Sequence, residues 1–211
     1  MRRVGGRDAR APSFCVRSWV MNRGWHSRGY LPHFDGGEIA QAITFRLGDS
    51  LPQTVLKAWR EELSRENAAN TDAALRRRIE SYLDQGHGSS WLKDARVASM
   101  VQQALLHFDG SRYKLSAWVV MPNHLPLILI PNAEYQLSGI LHSLKSYTAH
   151  EANRILGREG QFWQDDYFDR YIRDAKHFAA AVAYVESNPV KAGLCRRIDD
   201  WPYGSARLRK L

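Results

Sequence analysis

AWVVMPNHLPLILI, residues 117–130, is the stretch on which the fold turns. Val119, Val120, Leu127, Ile128, Leu129 and Ile130 are strand formers in continuous rather than alternating runs. An unbroken apolar run implies a strand covered on both faces, inside a sheet with helices packed on it. Met121-Pro122-Asn123 breaks the run, and a single imidazole, His124, follows at once. Two readings of that histidine stay open: a polar group satisfied at a strand end, or a functional group at the mouth of a sheet.

Working outward, Asp109-Gly110 is a tight turn into a strand over 112–120, which becomes the neighbour of the opening stretch. Upstream, 39–47 (IAQAITFRL) is a candidate strand, with Ile43 and Phe45 alternating against Thr44 and Arg46. Asp49 or Ser50 caps a helix that runs to about Glu66, with Val55, Leu56, Trp59 and Leu63 on one face. A second helix from Thr71 or Asp72 through Leu83 carries Leu75, Ile79, Tyr82 and Leu83 as its apolar stripe. Arg76, Arg77 and Arg78 wrap around its other side, as a solvated face or as a DNA contact. Asp94 caps a helix over 95–108, and a long helix over 136–156 follows Pro131. The segment 161–172 (QFWQDDYFDRYI) alternates aromatic and polar residues and reads as extended. Asp174 caps the final helix, which Asn188-Pro189 is expected to stop.

The 211 residues suffice for one sizeable core, and 44% hydrophobic with 11% aromatic content is globular. No apolar run reaches the roughly 18–20 residues that span a bilayer, and no signal-like segment follows the N-terminal arginines. Cys15 and Cys195 form no metal-like spacing. A cytoplasmic protein is expected. The net charge of +8 is uneven: residues 1–30 hold seven Arg against one Asp, and 31–188 hold 17 basic against 19 acidic residues. Basic ends can supply a nonspecific phosphate-binding term, or serve solubility alone. The expected layout is a basic, disordered tail over 1–29, one domain over 30–206, and a short basic tail over 207–211.

Tyr184 and Asn188 stand four apart on the last helix and project from one face. Taken alone, the phenol is equally a core residue with its hydroxyl bonded. The segments GYLPHFD, AWVVMPNH, LKSYTAHEANR, GQFWQDDYFDRYIRD and YVESNPVKAGL, in that order, resemble the REP-associated branch of the single-tyrosine transposases over roughly residues 29–206. The resemblance implies an α+β fold of HUH nuclease type: a ferredoxin-like antiparallel sheet with helices packed on it, here with extra helices. It matches His124 to the first histidine of a histidine–hydrophobe–histidine pair, Leu125 to the hydrophobe, Tyr184 to the nucleophile and Asn188 to a polar metal ligand. It implies Mg²⁺ or Mn²⁺ as cofactor. It also implies cleavage of single-stranded, hairpin-forming DNA at palindromic repeats through a 5′-phosphotyrosine, by a nucleoid-associated monomer or homodimer.

Pro126 departs from that pattern, standing where the second histidine belongs. Proline offers neither a ligand nor a backbone donor. His124 and Asn188 are left as two metal ligands where three are expected, so activity is expected to suffer. Lys145, Arg154, Trp163, Arg170 and Arg173 are the candidate DNA contacts, Trp163 by stacking on an unpaired base and the cations on phosphates. A noncatalytic binder of hairpin or single-stranded DNA is the alternative from a different class. A basic-tailed α+β protein with no nucleic-acid role is the plainest one.

Overall fold

The computed structural model describes residues 24–27, 32–35, 37–65, 71–165 and 167–209. Most of the stretch read as an N-terminal tail lies outside them. Its last part holds a strand, β1 (Gly24–Ser27), paired antiparallel with β2 (Pro32–Asp35).

The central sheet is built from β3 (Gln41–Arg46), β4 (Tyr113–Trp118), β5 (His124–Pro131) and β6 (Phe168–Tyr171). Its order is β4-β5-β3-β6 and every pairing is antiparallel. Helix α3 (Ala95–His107) links β3 to β4, and α4 (Leu137–Leu156) links β5 to β6. That is the ferredoxin-like β-α-β-β-α-β arrangement. Both helices lie on one face, where Val97, Val101, Leu105, Ile140, Leu141 and Leu144 meet Ile43, Phe45, Leu125, Leu127 and Leu129.

The opposite face, carrying Ala117, Val119 and Ile128, is covered by α5 (Ala175–Lys191) through Val185. β5 is therefore buried on both sides, as its unbroken apolar run implied. A helical hairpin, α1 (Gln53–Arg65) and α2 (Thr71–Asp84), has its own small core of Leu56, Leu63, Leu75, Ile79 and Leu83. Arg78 clasps Glu62 across it at 2.7 and 3.1 Å.

Local chemistry sets the element ends. Asp94 accepts from the Arg96 N–H at 2.9 Å and caps α3; Asp174 accepts from the His177 N–H at 2.8 Å and caps α5. The loop after α2 crosses the β3–α1 turn so closely that a Cβ on Gly88 would lie 2.7 Å from the Asp49 carbonyl oxygen, at a φ of +79°. Only glycine fits both demands. Ser89 fastens the crossing, its N–H and hydroxyl donating to Asp49 at 3.0 and 2.6 Å.

One expectation fails. α5 does not stop at Asn188-Pro189 but runs through the proline to Lys191. Pro189 has no N–H for the Val185 carbonyl. The Asn188 side chain replaces it, its Nδ2 donating to Val185 O at 3.3 Å and to Tyr184 O at 3.2 Å. The extended reading of 161–172 also contracts: only 168–171 forms a strand, with a lone bridge from Trp163 to Leu47.

Candidate active site

Antiparallel register decides which side chains share a face. Thr44 pairs with Pro126 and Arg46 with His124, so these four point to the same side of the sheet. That side is the one covered by α5. A cavity of about 310 Å³ opens there, lined by Thr44, Arg46 and Pro126 from the sheet, Glu80 from α2, Asp169 and Arg170 from β6, and His177 and Tyr184 from α5. Tyr184 and Pro126 thus face one space; His124 and Asn188 are not among its lining residues.

Proline is tolerated inside β5 for a local reason. The Pro126 carbonyl accepts from the Val119 N–H at 3.1 Å, so its nitrogen points toward the β4 side. The missing donor leaves the 119–126 pair with one hydrogen bond instead of two, near the end of the β4–β5 pairing, which the Met121 N–H closes on His124 O at 3.0 Å.

His124 is 4% exposed. Its Nδ1 lies 2.7 Å from Asn123 Oδ1. The orientation of that amide is fixed, because Asn123 Nδ2 donates to Leu83 O at 3.0 Å and to His87 O at 3.3 Å. Oδ1 can only accept, so Nδ1 carries the proton and Nε2 keeps the lone pair. Burial, and then the Arg46 guanidinium, push the His124 pKa down to about 3. The ring is neutral at physiological pH. Arg46, only 2% exposed, was not foreseen; strand alternation had set it against the core residues Ile43 and Phe45.

Tyr184 and Glu80 line the same cavity from opposite elements, α5 and α2. Burial, then the charges of Glu80 and Asp84, hold the Tyr184 pKa well above the usual phenol value. Lys191 reaches back along α5, its Nζ 4.2 Å from the centre of the Tyr184 ring. Burial raises the Asp84 pKa, with Lys191 opposing. Glu80 and Asp84 lie on the inserted hairpin, and nothing in the local sequence tied them to a tyrosine about a hundred residues on.

The donor set fits Mg²⁺ or Mn²⁺ poorly. Among the described residues no group of three or more His, Cys, Asp or Glu could hold a metal ion. Asn188 is fully buried and its Nδ2 is committed to helix carbonyls, while its Oδ1 is buried without a hydrogen-bond partner. Pro126 contributes nothing. One neutral imidazole and one amide oxygen, with no carboxylate, are a weak set for a hard divalent cation.

The candidate DNA contacts separate. Arg170 lies on the cavity wall and is exposed; Arg173 is exposed beside His177, whose Nδ1 accepts from the Arg173 N–H at 3.3 Å. Lys145 Nζ donates to Gln164 O at 2.5 Å and Asp165 O at 2.8 Å, holding the loop after α4. Arg154 is paired with Glu151 at 2.7 Å on α4. Trp163 is 4% exposed, its Nε1 donating to Thr148 at 2.9 Å and its ring set against Phe45 and Phe162. That is a core position, not a stacking platform, because the edge of the sheet folds the indole inward.

A family model described as "Transposase IS200 like" matches residues 91–188. That segment holds His124, Pro126, Tyr184 and Asn188 and leaves out Arg46 and Glu80. The REP-associated tyrosine transposase of Escherichia coli (strain K12) is 27% identical over 108 residues, which cover 50% of this chain and 62% of the relative. The chain therefore spans less than two thirds of that relative. A second relative, from Haemophilus influenzae and named for the same family, is 27% identical over 141 residues, 62% of this chain and 74% of its own. Among solved structures, a REP-associated tyrosine transposase bound to a REP hairpin superposes with a TM-score of 0.56 at 18% identity, covering 85% of this chain and 84% of that one. The likeness shows a shared fold. The resemblance seen in the motifs is borne out as a similarity: residues 91–188 match the IS200-like transposase model, and the chain is similar to the REP-associated tyrosine transposases.

Proposed function

We propose that this protein cleaves and rejoins single-stranded, hairpin-forming DNA through a covalent 5′-phosphotyrosine on Tyr184. The observation that supports the reading is the cavity that Tyr184 on α5 shares with Pro126 on β5, two residues along the same sheet face from His124. The phenol oxygen attacks the scissile phosphorus and the 3′-oxygen leaves. The ester conserves the phosphodiester energy, so attack by a 3′-hydroxyl rejoins the strand without ATP. Arg170 and Arg173 supply phosphate contacts at the rim, while Lys145, Arg154 and Trp163 act through the scaffold. A similar protein is solved on a REP hairpin, which supports a hairpin as the substrate form.

The test is a labelled palindromic single strand incubated with the full chain, with the protein–DNA adduct mapped by mass spectrometry. The expected adduct is on Tyr184 and vanishes in Tyr184→Phe. An adduct that survives that substitution removes Tyr184 from the role. The second reading, a noncatalytic hairpin binder, draws on the buried His124 and on Pro126 in the second histidine's place. Tight hairpin binding with no adduct under any divalent cation decides for it.

A further inference from the structure

We infer that Glu186 and Ser205 form a buried polar pin that fixes where Tyr184 stands over the sheet, which makes Glu186 a positioning residue. Its catalytic consequence rests on Tyr184 being the nucleophile; the pin itself does not.

The interface supplies the need. α5 meets the sheet through Ala181, Val182 and Val185 against Ala117, Val119 and Ile128. These side chains are small and apolar, and their attraction has no direction. Such a contact holds a helix down without setting its place along its own axis. A directional bond sets it.

Ser205 makes that bond. It opens α6 (Ser205–Leu208) and is 2% exposed, while Glu186, two residues after Tyr184 on α5, is 8% exposed. The Ser205 hydroxyl donates to Glu186 Oε1 at 2.6 Å and accepts the Trp118 N–H at 3.2 Å. The order of that relay is fixed, since a backbone N–H only donates and a carboxylate only accepts. Arg209 forms an ion pair with the same carboxylate oxygen.

The serine is itself held in place. Val119 bridges to Gly204, the Val120 N–H donates to Tyr203 O at 2.8 Å, and Trp201 Nε1 donates to Val120 O at 3.0 Å. On their other side the same residues reach β5: Trp118 pairs with Leu127, and the Val119 N–H donates to Pro126 O at 3.1 Å. The pin therefore refers Tyr184 to the strand pair that carries position 126. A buried ionic group of this kind is expected to add little net stability over apolar side chains of the same volume, and to select one arrangement among several.

The test uses the full chain with Glu186→Met, Ser205→Ala and Glu186→Gln, the last keeping an oxygen that accepts from Ser205. Single-turnover adduct formation at saturating hairpin DNA, hairpin affinity and thermal unfolding are measured on each. Glu186→Met and Ser205→Ala should slow about 100-fold, the cost of a misplacement near 1 Å, with affinity unchanged. Glu186→Gln should stay within a few-fold of the unaltered chain. A fluorotyrosine placed at position 184 should give one narrow fluorine resonance in the unaltered chain and in Glu186→Gln, and a broadened or split one in the other two. Unaltered rates and a single line in Glu186→Met and Ser205→Ala overturn the inference. So does a loss of rate that follows the unfolded fraction, or that Glu186→Gln shares in full, because either marks a merely structural role. If the fluorine lines respond while the unaltered chain forms no adduct at Tyr184, the pin stands and the nucleophile reading falls.

Discussion

Pro126→His puts the impaired-site reasoning to its hardest test. Position 126 shares a sheet face with 124 and lies on the wall of the Tyr184 cavity, so the new imidazole joins His124 two residues along one face. Folding stability should fall. Losing proline's restraint on the unfolded chain costs about 0.4–1 kcal/mol. The new N–H faces the carbonyl of Val119, a residue whose own N–H already donates to 126 O, so it gains a partner and adds no unpaired-donor cost. At about 2–4 °C per kcal/mol for a chain of this size, the melting temperature should drop by roughly 1–4 °C. Catalysis should move the other way. A third ligand that secures a cation is expected to lower the barrier by about 3 kcal/mol, near 100-fold in rate. The assay is single-turnover adduct formation on a palindromic strand with Mn²⁺ or EDTA, paired with loss of the free-Mn²⁺ electron paramagnetic resonance signal on titration. An unaltered chain that already cleaves as fast as the variant, with the same Mn²⁺ dependence, refutes the reasoning. So does a variant that is folded yet takes up no Mn²⁺.

Three further outcomes follow from particular contacts. Asn188→Ala removes the donors that replace the Pro189 N–H and should cost about 1–2 kcal/mol; restoring the N–H with Pro189→Ala should shrink that cost, so denaturant melts of the double-mutant cycle that prove additive would reject the repair role. His124, with its folded pKa depressed to about 3, binds fewer protons than in the unfolded chain below pH 6.5, so stability is intact above that pH and falls as acid is added. From pH 7 to pH 5 its share of the loss is about 2 kcal/mol, and His124→Gln should lack it; parallel pH–stability curves for the two proteins would contradict the burial argument. Arg170→Ala and Arg173→Ala should each weaken hairpin binding and flatten the log–log salt slope by about one, and an unchanged slope would remove that arginine from the phosphate contacts.

Much of the scaffold was readable because it rests on local rules. The continuous run at 127–130 gave a doubly covered strand, Asp94 and Asp174 gave helix starts, and the stripes of α2 and α3 gave their buried faces. The rule that failed was also local. Pro189 should end a helix, and does not, because the residue before it carries an amide able to bond the stranded carbonyl. Trp163 and Arg46 misled for a shared reason: alternation says which side of a strand a residue takes, not whether another layer lies over that side. The motifs singled out His124 and Tyr184 but were silent on Arg46 and Glu80, which line the Tyr184 cavity from outside the matched segment.

The position of Asn123 ties these observations into one account of the site. Its Oδ1 fixes the tautomer of His124, and its Nδ2 holds the end of the helix that carries Glu80 to the cavity wall. The loop backbone adds to this, since the Leu47 N–H donates to Asn123 O at 3.1 Å and the Leu92 N–H to Pro122 O at 3.1 Å. The Met121-Pro122-Asn123 bend thus does more than present a histidine. It joins β3, the inserted hairpin and the approach to α3 to the strand that bears His124 and Pro126.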